Sequence, residues 1–274
     1  MGSQRAPAPP HEHALADLEA GALALAREAG GVIAGAFGKA VAVVYKDAQT
    51  AREGRPPAAA VSEVDRHVEE LLRQRIAERF PGHGVIGEEI DTGAAEPEWL
   101  WVLDPVDGTT NFVNGLPIVA SSIGLLWRGE PLVGAVWCAS THRLAPGTYH
   151  ARRGGPLGFE GAPLEPLRNR DVLRRLAGLP GRDAGPRRSV DPRVLGSAAS
   201  ECAYVAAGLL RFSILHRASI WDVAGGVALV RAAGLPVLER TEAGWRPFER
   251  FTGEPLRRWR GTLVLGEPDE LPER

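Results

Sequence analysis

One stretch constrains the fold of this chain more than any other: Trp101-Val102-Leu103-Asp104-Pro105-Val106-Asp107-Gly108-Thr109-Thr110-Asn111-Phe112. An apolar run ends in two carboxylates three residues apart, and a glycine and two threonines follow at once. Such a run, bounded by turn residues, predicts a buried strand, with the acids at its end. Two hard oxygen donors so close together suit divalent cations, Mg²⁺ above all. Gly108 lets the backbone come close to a ligand. The N–H groups of the helical turn that follows, aided by the helix dipole, are expected to point at a phosphate. Read alone, the same residues also fit a solvent-exposed Asp-Pro/Asp-Gly turn. Partners for the acids elsewhere in the chain therefore decide between the two.

The elements around this stretch alternate. His13 to Ala36 reads as a helix with Leu15, Leu18, Leu23, Ala26 and Ile33 on its apolar face, and Val41 to Tyr45 as a short strand. Gln49 to Ala60 is polar and then Pro/Ala-rich, the composition of a loop. Ser62 with Asp65 forms a capping box, and Val64, Val68, Leu71, Leu72 and Ile76 keep helical period up to Phe80-Pro81-Gly82. Gly84 to Glu89 predicts a strand ending in two acids. Ile118 to Trp127 and Leu132 to Trp137 predict a hairpin, and Thr148 to Arg152 and Gly158 to Leu164 extend it as an antiparallel sheet. Beyond it come a short helix at Val172 to Ala177, a helix at Ser197 to Gly208, a strand at Phe212 to Leu215 and a helix at Asp222 to Ala233 whose first turn carries Asp222, itself a natural N-cap residue. Strands follow at Pro236 to Leu238 and Thr262 to Leu265. The pattern predicts a mixed α+β and α/β protein with helices layered on sheets. Residues 1–12 are expected to be a disordered tail, 13–160 an α+β metal-binding sub-domain, and 161–274 an α/β sub-domain.

The 274 residues suffice for sizeable cores. A net charge of −2 gives no support for nucleic acid or an anionic membrane as a partner. No apolar run is long enough to span a bilayer, and Cys138 and Cys202 are too few for a disulfide framework, so a cytoplasmic setting is expected.

Four places put carboxylates at element ends: Asp65, Glu88, Asp104 with Asp107, and Asp222. Each has an ordinary structural reading by itself, as a cap or a solvated strand end. Together with their neighbours they resemble the inositol monophosphatase family of Mg²⁺-dependent, lithium-sensitive phosphatases. The family motif Asp-Pro-Ile/Val-Asp-Gly-Thr-Thr-Asn-Phe stands unbroken from Asp104 to Phe112, and Trp221 to Gly226 matches Trp-Asp-x-Ala-Gly/Ala-Gly. Gly87-Glu88-Glu89 matches the family's Gly-Glu-Glu, Val61 to Asp65 its earlier acidic segment, and Gly196-Ser197-Ala198-Ala199 the turn lining its substrate site. The likeness runs from about His13 to Gly266.

The resemblance implies a layered αβαβα sandwich and two to three Mg²⁺ ions per active site. Glu88, Asp104 and the Val106 carbonyl would hold one ion, and Asp104, Asp107 and Asp222 a second. A third would rest on Glu88 and on waters held by Asp65. Glu88 and Thr109 would orient and deprotonate a water. Asp107, Gly108, Thr109, Gly196, Ser197 and Ala198 would line the phosphate and substrate. Lys46 resembles the family's loop lysine. A small phosphorylated metabolite as substrate and a homodimer are likewise implied.

The substrate end departs from the family pattern. Inositol-specific members carry an acid seven residues before the second-motif Asp, where this chain has Leu215 followed by His216. Arg211 replaces another usual Asp, and Ala232-Ala233-Gly234-Leu235 replaces Glu-Ala-Gly-Gly. A leucine cannot hydrogen-bond a ring hydroxyl. Arg211 and His216 are candidates to meet a second phosphate or a carboxylate, beside surface or packing roles for both. Inositol 1-phosphate, fructose 1,6-bisphosphate, histidinol phosphate and 3′-phosphoadenosine 5′-phosphate all stay open. A non-catalytic relative that only binds metal or phosphate would not need Glu88, Asp104, Asp107, Asp222 and Thr109 together.

Overall fold

The computed structural model describes residues 12–45, 60–93, 96–164, 171–173, 175–180, 190–269 and 271. Residues 1–11 of the expected tail, Lys46 and the 47–59 segment lie outside them.

Strand β4 (Trp99–Asp107) is the centre of the first half, and its side chains alternate between two cores. Leu100 and Val102 face one, Trp101 and Leu103 the other, and all four are buried. This period of two with both faces covered is why the run is continuously apolar. β3 (Gly84–Gly87) pairs with it in parallel and β5 (Ala120–Trp127) antiparallel. β6 (Glu130–Cys138), β7 (Gly147–Arg152), β8 (Gly158–Phe159) and β9 (Ala162–Pro163) follow in order, completing a seven-stranded sheet. Helices α1 (Glu12–Ala36) and α2 (Glu63–Arg79) cover one face through Leu15, Ala22, Ile33, Val68 and Leu72. A short ladder of β1 (Val43–Tyr45) and β2 (Ala60–Ser62) leads into α2.

The other face is covered by α4 (Ala198–Ala206) and α5 (Ile220–Ala232), whose other side lies on a second sheet. That sheet has the order β11 (Asp191–Arg193), β10 (Leu176–Gly178), β12 (Phe212–Ser219), β15 (Arg260–Gly266), β13 (Val237–Thr241) and β14 (Gly244–Pro247). One core thus joins both sheets, with α5 buried on all sides. The layering is α/β/α/β among the described residues. A smaller apolar cluster of Ala177, Leu179, Phe212 and Ile214 lies on the outer face of the second sheet.

Two expectations are corrected here. Val172 to Ala177 is not a helix: Leu176–Gly178 is a strand, in parallel register with β11 and β12. Val172 and Leu173, which gave the segment its helical look, are exposed and bury no face. Pairing on both edges overrides local spacing. Asp222 is not an N-cap. Ser219 holds that position in extended conformation, and Asp222 sits in the first helical turn, accepting the Ser219 N–H at 2.7 Å.

The tight seat of α5 explains the paired glycines of the second motif. A Cβ on Gly134 of β6 would lie 2.0 Å from the Gly225 carbonyl oxygen, so helix and sheet backbones meet directly. Gly134→Ala is therefore expected to destabilise the protein by about 1–3 kcal/mol, measured by denaturant unfolding. An effect within noise would mean that α5 moves off the sheet at no expense.

Candidate metal and phosphate site

At the end of β4 the ladder with β5 breaks. Asp104 pairs with Ser122 and Asp107 with Ala120, and the register shifts between them. Pro105 lies in that gap and has no N–H to give the ladder. The Thr109 hydroxyl sits 2.9 Å from the Val106 carbonyl and 2.8 Å from Asp65 Oδ1. Gly108 turns the chain with φ of 85°, and a Cβ there would meet the Ile118 carbonyl at 2.9 Å. Only glycine satisfies both conditions. Asn111 fixes the far side, donating to the carbonyls of Ile118 and Leu195, each at 2.8 Å, and so ties this turn to the approach of α4. The helix that follows, α3 (Thr109–Val113), has only five residues. Its summed dipole is correspondingly small. Any hold on an anion rests on the N–H groups of the turn rather than on the helix dipole.

The other acids arrive from four different elements. Asp65 is locked by the capping box: its Oδ2 accepts the Ser62 N–H at 2.9 Å and the Ser62 hydroxyl at 2.5 Å. Asp107 Oδ2 accepts the Ser197 hydroxyl and the Ala199 N–H, both at 2.6 Å, which anchors the Gly196-Ser197-Ala198 turn on it. Asp222 comes from the first turn of α5. Glu88 follows β3, and its N–H donates to the Leu103 carbonyl at 3.2 Å.

The segment carrying Glu88 is clamped by charges from both sides. Buried Glu69 on α2, paired with Arg73 at 2.8 Å, accepts the N–H groups of Glu89 at 2.7 Å and Ile90 at 3.1 Å. Opposite, Arg257 donates to the carbonyls of Gly87 and Glu88 and pairs with Asp91 at 3.2 Å. Its guanidinium also lies 5.3 Å from the ring centre of Trp221, the neighbour of Asp222. Arg257 thereby fixes Glu88 and Asp222 relative to each other, although they come from different layers.

Electrostatics show what the acids are arranged for. Burial, and then the charges of Glu88, Asp107, Asp222 and Asp65, push the Asp104 carboxyl far above the usual range. Burial raises Asp107 to about 6, against the pull of its Ser197 and Ala199 hydrogen bonds. Burial and the Asp107 charge raise Asp222 to about 7, and burial also raises Asp65. Asp104 Oδ1 is buried without any hydrogen-bond partner. A fold that buries like charges and leaves an acceptor unpaired is incomplete without a cation. Among the described residues no three acid, histidine or cysteine side chains close on an ion by themselves. The acids face one another across a gap that a backbone carbonyl and waters would complete, as Mg²⁺ prefers.

A cavity of about 270 Å³ opens from this cluster, with Ser197 and Asp222 at one end and Leu215, His216 and Arg217 along the β12 wall. His216 is exposed there, its Nδ1 3.4 Å from the Thr262 hydroxyl. Arg211 is elsewhere. It precedes β12, roughly 25 Å of strand from Ser219, and its guanidinium is paired with Asp269 at 2.5 and 2.9 Å. It does not line the cavity. Glu201, also on the cavity wall, was not singled out from sequence. It is buried in α4, hydrogen-bonded by the Ser213 hydroxyl, and raised to about 7 by burial. An acid inside a small-residue helix was the available signal. Glu69 and Arg257 gave none, since their partners lie 20 and 170 residues away.

The arrangement has known counterparts. The model for the inositol monophosphatase family matches residues 14–258. A probable inositol 1-monophosphatase of Mycobacterium tuberculosis is 35% identical over 233 residues, covering 76% of this chain and 84% of that protein. A fructose-1,6-bisphosphatase/inositol-1-monophosphatase of Thermotoga maritima is 32% identical over 184 residues, 64% of this chain and 69% of its own. Among solved structures, an IMPase of Thermotoga maritima superposes with a TM-score of 0.72 at 25% identity, covering 91% of this chain and 92% of that one. The chain belongs to the inositol monophosphatase family. It is a phosphoric monoester hydrolase of a family whose members are generally metal-dependent.

Two outcomes follow from the charge arrangement. The raised carboxyls hold protons in the folded state up to about pH 6 for Asp107 and 7 for Asp222, and a cation must displace them. The rise in melting temperature caused by a divalent cation should therefore be full above about pH 7.5 and largely lost at pH 5.5. A pH-independent rise would show that these acids do not bind it. Arg257→Ala should raise the cation concentration needed for half of that stabilisation about tenfold or more, with partial recovery in Arg257→Lys. An unchanged requirement would remove Arg257 from the positioning of the site.

Proposed function

We propose that the protein hydrolyses the phosphate monoester of a small soluble metabolite using Mg²⁺. The observation that carries this reading is the unpaired, buried Asp104 oxygen among four other acids, beside the left-handed Gly108 turn. Glu88, Asp104, Asp107, Asp222 and the Val106 carbonyl are the groups that would hold two ions. Glu88, with waters on Asp65, would hold a third. Such ions neutralise the phosphate oxygens and the leaving alkoxide and acidify water when bound.

The chain's own part is orientation and proton handling. The Thr109 hydroxyl, donating to Asp65 or the Val106 carbonyl, keeps lone pairs to accept a hydrogen bond from the attacking water, so that a proton leaving the water can be relayed through it to the Asp65 carboxylate. Asp65 cannot swing away, because Ser62 occupies its other oxygen. Glu88, held through its backbone, is the second group placed to take that proton. The water oxygen forms a new bond to phosphorus as the ester P–O bond breaks, and the alcohol leaves with a proton. The Gly108 and Thr109 N–H groups and the Ser197 turn would hold the phosphate.

Leu215 in the cavity wall disfavours a polyol as the alcohol. Fructose 1,6-bisphosphate, histidinol phosphate and 3′-phosphoadenosine 5′-phosphate stand beside inositol 1-phosphate as candidates. A relative, the fructose-1,6-bisphosphatase/inositol-1-monophosphatase of Thermotoga maritima, pairs two of these activities in its name. The family likeness further supports a cytoplasmic homodimer inhibited by lithium.

Phosphate release from a panel of phosphorylated metabolites should require Mg²⁺, and Asp104→Asn should reduce it to background. Full release in excess chelator would overturn the reading.

A further inference from the structure

Strand β12 carries an irregularity at the cavity mouth. Its pairing with β15 runs Leu215 to Leu263 and resumes Ala218 to Gly261, so three steps on β12 oppose two on β15. This is a β-bulge with one residue inserted. The inserted region is His216 and Arg217, the two consecutive exposed positions in a strand otherwise buried up to Ala218. Leu215 and Ala218 both join the inner core, which a regular strand would not allow three residues apart.

Arg217 has φ of 51°. Residues with a Cβ take this left-handed conformation uncommonly, and glycine takes it freely. The other three non-glycine residues with positive φ, Arg128, Leu144 and Glu160, lie in turns between strands. Arg217 alone adopts it inside a strand. Its N–H donates to the Thr262 hydroxyl at 3.3 Å, pinning the bulge to β15, while its side chain has no ion-pair or hydrogen-bond partner among the described residues.

The cavity that Arg217 borders runs from Ser197 and Asp222 past an apolar wall of Leu179, Ile214 and Leu215. The side chains of Leu179, Ile214 and Leu215 offer no hydrogen bonds to a chain of hydroxyls, and His216 is the one polar side chain between them and Arg217 along β12. The acid of the wall, Glu201, is engaged by Ser213, four residues back along β12 from Arg217. A substrate whose phosphate sits at the acid cluster thus meets an apolar span and then an unpartnered guanidinium.

We infer that Arg217 is a specificity-determining residue, presented by the bulge to receive a second anionic group, phosphate or carboxylate, at the end of the substrate remote from the scissile ester. The inference rests on the phosphatase reading and names its substrate class. The bulge places the role on Arg217 and not on Arg211, whose charge Asp269 already holds.

The test compares wild type with Arg217→Ala, Arg217→Gly and Arg217→Lys on three esters, in Mg²⁺. Glycerol 2-phosphate has a neutral remote end, fructose 1,6-bisphosphate a remote phosphate, and 3-phosphoglycerate a remote carboxylate. Loss of the guanidinium should raise KM about tenfold or more for the doubly anionic ester that is the natural type, and leave KM for the neutral ester within about twofold. The arm that responds tells phosphate from carboxylate. Arg217→Gly should lose the preference while melting no lower than wild type, since glycine relieves the backbone, and Arg217→Lys should recover part of it. Equal changes for all three esters, or none, overturn the inference. Calorimetric titration with the same esters needs no turnover. If wild type hydrolyses none of them, the phosphatase reading is decided by the metabolite panel above, and the binding difference between wild type and Arg217→Ala still decides the role of Arg217.

Discussion

The structure depends on an interaction that is unfavourable as it stands: carboxylates from β4, β3, α2 and α5 gathered around Asp104, with Asp104 and Asp65 buried and Glu88, Asp107 and Asp222 half-buried. Burying a charge without a partner is among the larger penalties a fold can carry. It persists only where the surroundings leave the side chain no other place. Here they do. β4 is paired on both edges and packed on both faces, so Asp104 cannot retreat without breaking the most apolar layer of the protein. The same repulsion that weakens the cluster would favour a bound cation. Stability and function are in direct opposition at this point, as they are at many active sites.

The surrounding hydrogen bonds hold each acid in position without cancelling its charge. Asp65 is fixed by its own helix cap, Asp107 by the turn that starts α4, Asp222 by the residue before α5, and Glu88 through its backbone. The donors to Asp65, Asp107 and Asp222 are neutral hydroxyl and backbone N–H groups. Arg257 illustrates the distinction. It approaches Glu88 closely but donates to the carbonyls of Gly87 and Glu88 and pairs with Asp91.

What was legible in the sequence was local. The Asp104–Phe112 segment is one contiguous run, and the Ser62–Asp65 box spans four residues, so periodicity and capping rules reach them. The hairpin of β5 and β6 and the helices α1, α2 and α4 were visible for the same reason. The strand at Leu176–Gly178 was not, because three residues held by neighbours on both edges carry no pattern of their own. The clamps on Glu88 were not, because Glu69 and Arg257 become meaningful only when α2 and the 3₁₀ turn at Leu256–Arg258 meet the end of β3. A charged side chain in a charged segment gives no sign of which backbone it will meet.

The same argument explains why the reaction was easier to read than the substrate. Phosphoryl chemistry is set by acids and a turn whose geometry is encoded over a few residues. Specificity in this protein is set along one strand, where the facing of every side chain depends on register. Arg211, Leu215, His216 and Arg217 are close in sequence, and alternation alone would put Arg211, Leu215 and Arg217 in different relations to the cavity than they have. A single inserted residue turns His216 and Arg217 outward in succession and returns Ala218 to the core. Nothing in the composition of Leu215 to Ala218 announces that insertion. It goes with the second sheet, where β15 begins with Arg260 over the Trp221 ring while keeping Leu263 opposite Leu215. The cavity wall is therefore a consequence of how the far layer closes on α5, so the residue that reads the substrate is chosen by packing at a distance from it.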